Sequence, residues 1–196
     1  MSLRHAWNEG RMGTFSLGGL QFREPMDLVR SLKHAGREIA GALGAEQAPD
    51  ILDTLRKEHD EVGAMLARLV DSHSVSERRA LVKKIKAALI PHMKAEQKVV
   101  YDAVIALRPK DAKTHGEEGY IEHKMAGEAL LLLGKISNAG SPEFLAAAKV
   151  LKELIEHHVQ EEERDIWADL REHFDAAQRA QMNKRFEQAK KRVRNG

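Results

Sequence analysis

Residues 52–69 read LDTLRKEHDEVGAMLARL, and apolar side chains recur in this stretch at spacings of three and four residues. Such spacing is typical of one face of an α-helix that packs against a core. A single histidine falls in the same series as the apolar residues. The series consists of Leu52, Leu55, His59, Val62, Leu66 and Leu69. The stretch therefore predicts a helix whose buried face carries an imidazole.

The chain contains two copies of one polar pattern. Each copy has a histidine preceded by a glutamate, and later a second histidine four residues before another glutamate. The first copy consists of Glu58, His59, His92 and Glu96, and the second of Glu122, His123, His158 and Glu162. The copies also match outside these positions, because Gly63 corresponds to Gly127 and Tyr101 to Trp167. Helical periodicity places each paired histidine and glutamate on one face, so both copies can point at a common centre.

Six such residues in one core predict a site for two metal ions. A lone histidine on an apolar face is more often a hydrogen-bonded core residue, and one His-x-x-x-Glu pair is common surface chemistry. Burying several of these groups together is different, because an unpaired buried carboxylate costs several kcal/mol. Two cations would balance that charge. The predicted metal ligands are His59, His92, Glu96, His123, His158 and Glu162.

Two ambiguities surround these ligands. His157 could replace His158 by pairing with Glu161, but only the register of His158 aligns the two copies. Glu58 and Glu122 each precede a ligand histidine, and we expect them to orient imidazoles by hydrogen bonding.

The residues that mark helix boundaries predict an all-α fold. Capping residues mark five helix starts, at Asp50, Ser74, Thr114, Ser141 and Asp175. Four helices with short connections pack most simply as an antiparallel up-down four-helix bundle, here with extra N- and C-terminal helices. The predicted organisation is an N-terminal extension, the bundle and a C-terminal basic helix, over residues 1–48, 49–174 and 175–196. The extension is predicted to be irregular to about residue 23 and helical over 25–43.

Composition limits the class of protein. The 196 residues are 42% hydrophobic and 32% charged, which is ordinary for one globular domain. The chain has no cysteine, which excludes disulfides, iron–sulfur clusters and thiolate zinc sites. No apolar run reaches membrane-spanning length and no signal peptide is evident, so we expect a cytoplasmic protein with no membrane partner. The net charge of +2 does not indicate a nucleic-acid partner, although residues 184–194 are locally basic.

Over about residues 50–173 the chain resembles the hemerythrin family, in the bacterial HHE cation-binding form. The resemblance lies in two single histidines alternating with two His-x-x-x-Glu pairs. It implies a non-haem centre of two iron ions with a bridging oxo or hydroxo group. In that centre the four histidines would be terminal ligands, and Glu96 and Glu162 would bridge the ions. Iron follows from the resemblance, since imidazole and carboxylate ligands also accept other divalent metals.

The sequence departs from the oxygen-carrying members of that family at one ligand. Those proteins have a further histidine one turn after the third-helix ligand, where this chain has Gly127. The open position could admit oxygen, nitric oxide or peroxide, or Tyr120 could fill it. We favour a role in binding, sensing or detoxifying such ligands over an enzymatic role. The alternatives are a peroxide-decomposing di-iron enzyme, an iron-handling protein and a helical bundle without metal. The sequence predicts no oligomeric state.

Overall fold

A computed structural model describes two short strands near the N-terminus and residues 48–195. The chain divides into two compact units, residues 1–47 and 48–196. In the first unit β1 (Phe15–Leu17) pairs antiparallel with β2 (Leu20–Phe22), with Leu17 opposite Leu20. We predicted an irregular segment here, and that prediction was wrong for this hairpin. The helix predicted over 25–43 lies outside the described residues.

The second unit is helical, which confirms the predicted helical class. Its helices are α1 (Ile51–Asp71), α2 (Val75–Glu96), α3 (Asp102–Ile105), α4 (Lys110–Lys135), α5 (Pro142–Glu161), α6 (Trp167–His173) and α7 (Ala176–Asn195). Two π-helical turns interrupt the long helices, one over Gln97–Tyr101 between α2 and α3 and one over Glu162–Ile166 between α5 and α6. Among the helices described, none is both long and apolar enough to cross a membrane.

The helix starts follow local capping chemistry. Asp50 accepts a hydrogen bond from the backbone N–H of Leu52, and Ser141 accepts one from that of Phe144. Ser74 and Asp175 cap their helices in the same way, so these predictions are confirmed.

The predicted start of the third long helix was wrong. This helix begins at Lys110, four residues before Thr114, and Pro109 is its N-cap. Thr114 lies inside the helix, where its hydroxyl donates to the carbonyl of Lys110 at 3.1 Å. A threonine can bond to the preceding turn as readily as it can cap a new one, and the capping pattern alone does not separate the two.

Packing places the polar pattern between two apolar clusters. In the described part α1 contacts α2 and α5, and α4 contacts the same two helices, so the four form a closed ring of neighbours. One apolar cluster includes Leu66, Ile85, Leu130 and Leu151, and the other includes Leu55, Val104, Trp167 and Phe186. On α1 and α4 the histidine lies between residues of the two clusters. On α2 and α5 it lies near the end of the first cluster, and the second cluster continues into the π-helical turn that follows. The α7 helix packs against α1 and α2.

Candidate metal centre

The six predicted ligands converge inside the helical unit. Each is 7% exposed or less. The Nε2 atom of each histidine lies within 3.7 Å of a Glu96 or Glu162 oxygen. Glu96 Oε2 lies 3.1 Å from His92 Nε2 and 3.3 Å from His123 Nε2. Glu162 Oε2 lies 3.3 Å from His158 Nε2 and 3.7 Å from His59 Nε2. Two overlapping groups share Glu96: His59 with His92 and Glu96, and Glu96 with His123 and His158.

Three of the four imidazoles form hydrogen bonds through Nδ1 to carboxylates outside this centre. The Nδ1 atom of His92 lies 2.9 Å from Glu58 Oε2, and that of His158 lies 2.7 Å from Glu122 Oε2. His59 Nδ1 lies 3.2 Å from Glu163 Oε1. An ionised carboxylate only accepts, so each Nδ1 carries the proton and Nε2 stays available to a metal. The orienting contacts expected for Glu58 and Glu122 are present, whereas Glu163 was missed because it lies outside the repeated pattern.

The two π-helical turns begin at or next to the central glutamates. The N–H of Asp102 donates to the carbonyl of Gln97, and that of Trp167 donates to the carbonyl of Glu162, in each case five residues back. In a regular α-helix a residue five positions on is rotated about 140° away. A π turn inserts one residue, so Tyr101 and Trp167 come back toward the face of the glutamate five residues earlier. This accounts for the matched positions of these two aromatic residues in the repeat.

Tyr101, rather than Tyr120, reaches the centre. The Tyr101 hydroxyl is fully buried and lies 3.0 Å from His123 Nε2 and 3.4 Å from Glu96 Oε2. Gly119 makes room for its ring, because a Cβ there would lie 2.7 Å from the Tyr101 Cζ. Tyr120 instead donates outside the centre, to Asp102 Oδ1 at 2.8 Å and the carbonyl of Gln97 at 3.1 Å. The prediction for Tyr120 was wrong because Tyr101 reaches the centre from the neighbouring segment over Gly119, while the Tyr120 hydroxyl is satisfied by Asp102 and Gln97.

The structure separates His158 from its neighbour. His158 is buried at the centre, whereas the side chain of His157 is 64% exposed and pairs with Glu161 at 3.3 Å. Among the described residues His157, Glu161 and Glu122 also form a looser group on the outside of the unit. The register of the repeat therefore correctly predicted that His158, and not His157, lies with the other three histidines.

Several buried atoms of the centre are left without partners. Within residues 48–194 no hydrogen bond reaches His59 Nε2, Oε1 of Glu96 or either carboxylate oxygen of Glu162. Buried acceptors of this kind cost free energy unless something pairs with them. Imidazole nitrogens and carboxylate oxygens aimed at one point are a donor set that suits divalent transition metals. The residues present therefore fit a pair of cations.

A comparison with known families agrees with this geometry. The profile of the hemerythrin HHE cation-binding domain matches residues 50–170, which is more than half of the chain. The chain belongs to the hemerythrin HHE family. The matched segment contains all six predicted ligands and both π-helical turns. It ends before α7 begins.

One curated relative of this hemerythrin-family chain is a protein named DNA nickase from Nostoc sp. (strain PCC 7120 / SAG 25.82 / UTEX 2576). The two are 25% identical over 162 residues, which cover 79% of this chain and 45% of the relative. The chain thus spans less than half the length of that relative. No solved structure matches the chain.

Electrostatics within the hemerythrin-type centre split the four histidines into two pairs. Burial lowers the pKa of His92, but the charge of Glu96 and the hydrogen bond to Glu58 outweigh it and raise this pKa to about 10. His158 behaves in the same way through Glu122 and Glu162, and its pKa also rises to about 10. Burial lowers the pKa of His59 to about 3 and that of His123 to about 4. In the metal-free chain, two imidazolium groups therefore supply the positive charge that the carboxylates need.

The metal-free chain is expected to be most stable at about pH 6, just below the ordinary histidine pKa of 6.5. The optimum lies below 6.5 because burial and the charge of Glu96 raise the pKa of Glu162 to about 7, so that its contribution is lost as the pH rises from 4.5 toward 7. His92 and His158 hold protons that the unfolded chain releases, so their contribution is present below pH 6.5 and is lost as the pH rises toward 10. His59 and His123 exclude protons that the unfolded chain binds, so their contribution is lost as the pH falls below 6.5 toward 4. Urea unfolding of chelator-treated protein between about pH 5 and about pH 9 measures this. A free energy of unfolding that rises steadily across that range would contradict it.

Proposed function

We propose that this hemerythrin-family chain binds two iron ions at the centre, with a bridging oxo or hydroxo group between them. His59, His92, His123 and His158 are the terminal ligands. Glu96 and Glu162 are the bridges, because each carboxylate lies within 3.7 Å of imidazole nitrogens from two helices. The observation that carries the proposal is the set of buried, unpartnered ligand atoms aimed at one point.

The proposed arrangement of the ligand-bearing helices is an antiparallel up-down four-helix bundle. It is supported by the closed ring of contacts among α1, α2, α4 and α5 and by the short connections between consecutive helices. Each helix then contributes one histidine to a shared layer. A crystal structure in which two neighbouring helices of this ring run parallel would contradict the arrangement.

A small ligand is the proposed partner of the metal pair. A cavity of about 10 Å³ lies beside the four imidazoles, and its apolar wall consists of Val62, Leu89, Ile155 and Val159. A space of this size holds about one water molecule, which is the scale of oxygen, nitric oxide or peroxide. Bound iron would supply a Lewis acid and electrons to such a ligand. We infer a role in binding, sensing or detoxifying it.

Substitutions of the adjacent residues His157 and His158, near the end of α5, test the metal site. Wild-type protein is expected to bind two Co²⁺ ions per chain, and His158→Ala is expected to lose one of them or to weaken binding at least about 100-fold, because a central ligand is removed. His157→Ala is the matched control, since it changes the adjacent exposed residue and should bind like the wild type. Calorimetric titration and the cobalt visible spectrum measure both variants, and iron-loaded protein should show oxo-to-iron absorption. Equal Co²⁺ binding by His158→Ala and the wild type would contradict the proposal.

Peroxide decomposition is the second candidate function. The observation that favours it is the buried Tyr101 hydroxyl, which can donate a hydrogen bond to a ligand beside His123. Two molecules of hydrogen peroxide would give one of oxygen and two of water. Iron-loaded wild-type protein should then evolve oxygen when peroxide is added, and Glu96→Ala should not. Reversible spectral changes with oxygen or nitric oxide, without oxygen evolution from peroxide, would favour the binding role.

Nucleic acid is not among the proposed partners, although the curated relative is named a DNA nickase. The ligand atoms are buried, and the cavities beside the centre have volumes of about 10 Å³, far too small for a phosphodiester and its neighbouring sugars. Conversion of supercoiled plasmid to the open-circular form by metal-loaded protein would contradict this exclusion.

A further inference from the structure

The C-terminal helix α7 places a lysine against the candidate metal centre. This helix lies beyond the segment matched by the family profile and packs on α1 and α2. Lys190 is only 4% exposed, and Phe186 one turn earlier is fully buried. A buried lysine needs a partner, because an uncompensated ammonium group in the interior costs several kcal/mol. Its surroundings therefore indicate what it does.

Lys190 is joined to a proposed ligand through one carboxylate. Its Nζ donates to Oε1 of Glu58, and the other oxygen of Glu58 accepts from His92 Nδ1 at 2.9 Å. Lys190 also reaches Glu187 Oε1 at 3.1 Å. Both oxygens of Glu58 are thus engaged, one by α7 and one by the imidazole, so the carboxylate cannot rotate without breaking a bond.

Phe186 holds the same imidazole from a second side. Its ring meets that of His92 edge to face, with centroids 5.8 Å apart and an angle of 86° between the planes. Lys190 Nζ in turn lies 5.0 Å from the centroid of Phe186. The two α7 residues therefore form a single support behind His92.

The second copy of the repeat has a different support. His158 Nδ1 is held by Glu122 Oε2, but the other oxygen of Glu122 lies 3.8 Å from the exposed His157. In the part of the chain that the structure describes, Glu122 pairs with no lysine or arginine. The carboxylates behind His92 and His158 occupy equivalent places in the repeat, and only the former is fixed by a buried cation.

We propose that Lys190 is a positioning residue of the metal centre: by fixing Glu58 it fixes the imidazole of His92 and makes the metal position beside His92 bind more tightly than the one beside His158. This inference rests on the proposed two-metal function. It makes α7 a functional part of the centre and predicts two unequal metal sites although the six ligands themselves follow a repeated pattern. Loss of an outer hydrogen-bonding partner of a ligand typically costs 10–100-fold in metal affinity.

The test uses the full chain with Co²⁺ as the probe. Lys190→Met keeps the length and apolar stem of the side chain but removes its charge, and we expect affinity at one of the two sites to fall about 10-fold. Lys190→Arg should restore most of that affinity, because it can again donate to Glu58. Lys191→Met is the matched control, since Lys191 is exposed on the same helix and should not affect binding. Histidine-ring NMR of the Zn²⁺-loaded protein should show one shifted Nδ1–H signal in Lys190→Met alone.

Two results would overturn the inference. Wild-type affinity at both sites and an unshifted ring signal in Lys190→Met would overturn the inference. So would equal weakening of both sites that Lys190→Arg does not repair, because that result marks a purely structural residue. If Lys190→Met does not fold, Lys190→Gln takes its place with the same expected loss, since its shorter uncharged amide cannot hold the carboxylate. A wild-type chain that binds no Co²⁺ would instead defeat the two-metal function itself.

Discussion

Replacing Glu96 with glutamine is expected to reduce metal binding from two ions per chain to at most one. Glu96 is shared by both groups of candidate ligands, and its Oε2 lies 3.1 Å and 3.3 Å from the Nε2 atoms of His92 and His123. The amide has nearly the same shape but no charge. Removing one partner from a buried charge cluster costs about 3–5 kcal/mol, which corresponds to roughly 100–4,000-fold in affinity.

Cobalt titration followed by metal analysis of desalted protein measures this loss. Glu156→Gln is the matched control, because Glu156 is exposed on α5 and pairs only with Lys152 among the described residues. Circular dichroism of both variants without metal shows whether the fold is kept. Two tightly bound ions in folded Glu96→Gln would rule out Glu96 as the shared ligand.

Removing the metal is expected to lower the melting temperature by roughly 15–30 °C. Each ion bound at 1,000 times its dissociation constant stabilises the folded state by about 4 kcal/mol, and a domain of this size shifts by about 2–4 °C per kcal/mol. The metal also replaces a less favourable arrangement, in which imidazolium groups at His92 and His158 alone balance the carboxylates. Ligand protons must leave when the metal binds, so the difference should shrink in acid.

Differential scanning calorimetry of loaded and chelator-treated protein gives the comparison, with addition of metal back to the treated protein as the control for irreversible damage. The same pair of scans at about pH 7 and about pH 5 tests the acid dependence. Identical melting temperatures with and without metal at neutral pH would mean that the buried cluster stabilises itself.

Helical periodicity and the internal repeat were enough to bring the six polar residues together. Any one histidine was ambiguous, but two copies in matching register placed His158 and not His157 at the centre. The capping residues also predicted the starts of α1, α2, α5 and α7, because each cap satisfies a backbone N–H locally. These features depend on interactions within one helix, or on a pattern that can be counted along the chain.

What the sequence did not predict depends on breaks in that periodicity or on contacts between distant segments. Tyr101 was aligned with Trp167 but was given no role, because an unbroken α-helix would turn it away from Glu96. Lys190 lies 132 residues from Glu58, and its charge looked like that of an ordinary basic helix end. Only the packing of α7 on α1 and α2 brings this lysine to the centre.

The two π-helical turns restrict where the chain can change length. Each adds one residue at or just after a central glutamate, so each rotates everything beyond it by about 100° relative to a regular helix. The ring of Trp167 stacks on that of His59 with centroids 6.1 Å apart. Deleting a single residue from the turn that begins at Glu162 would rotate Trp167 away from His59 while leaving Tyr101 in place beside His123. Insertions and deletions are therefore constrained at each of these two points separately, because a change of length in one turn moves only the aromatic residue that follows it.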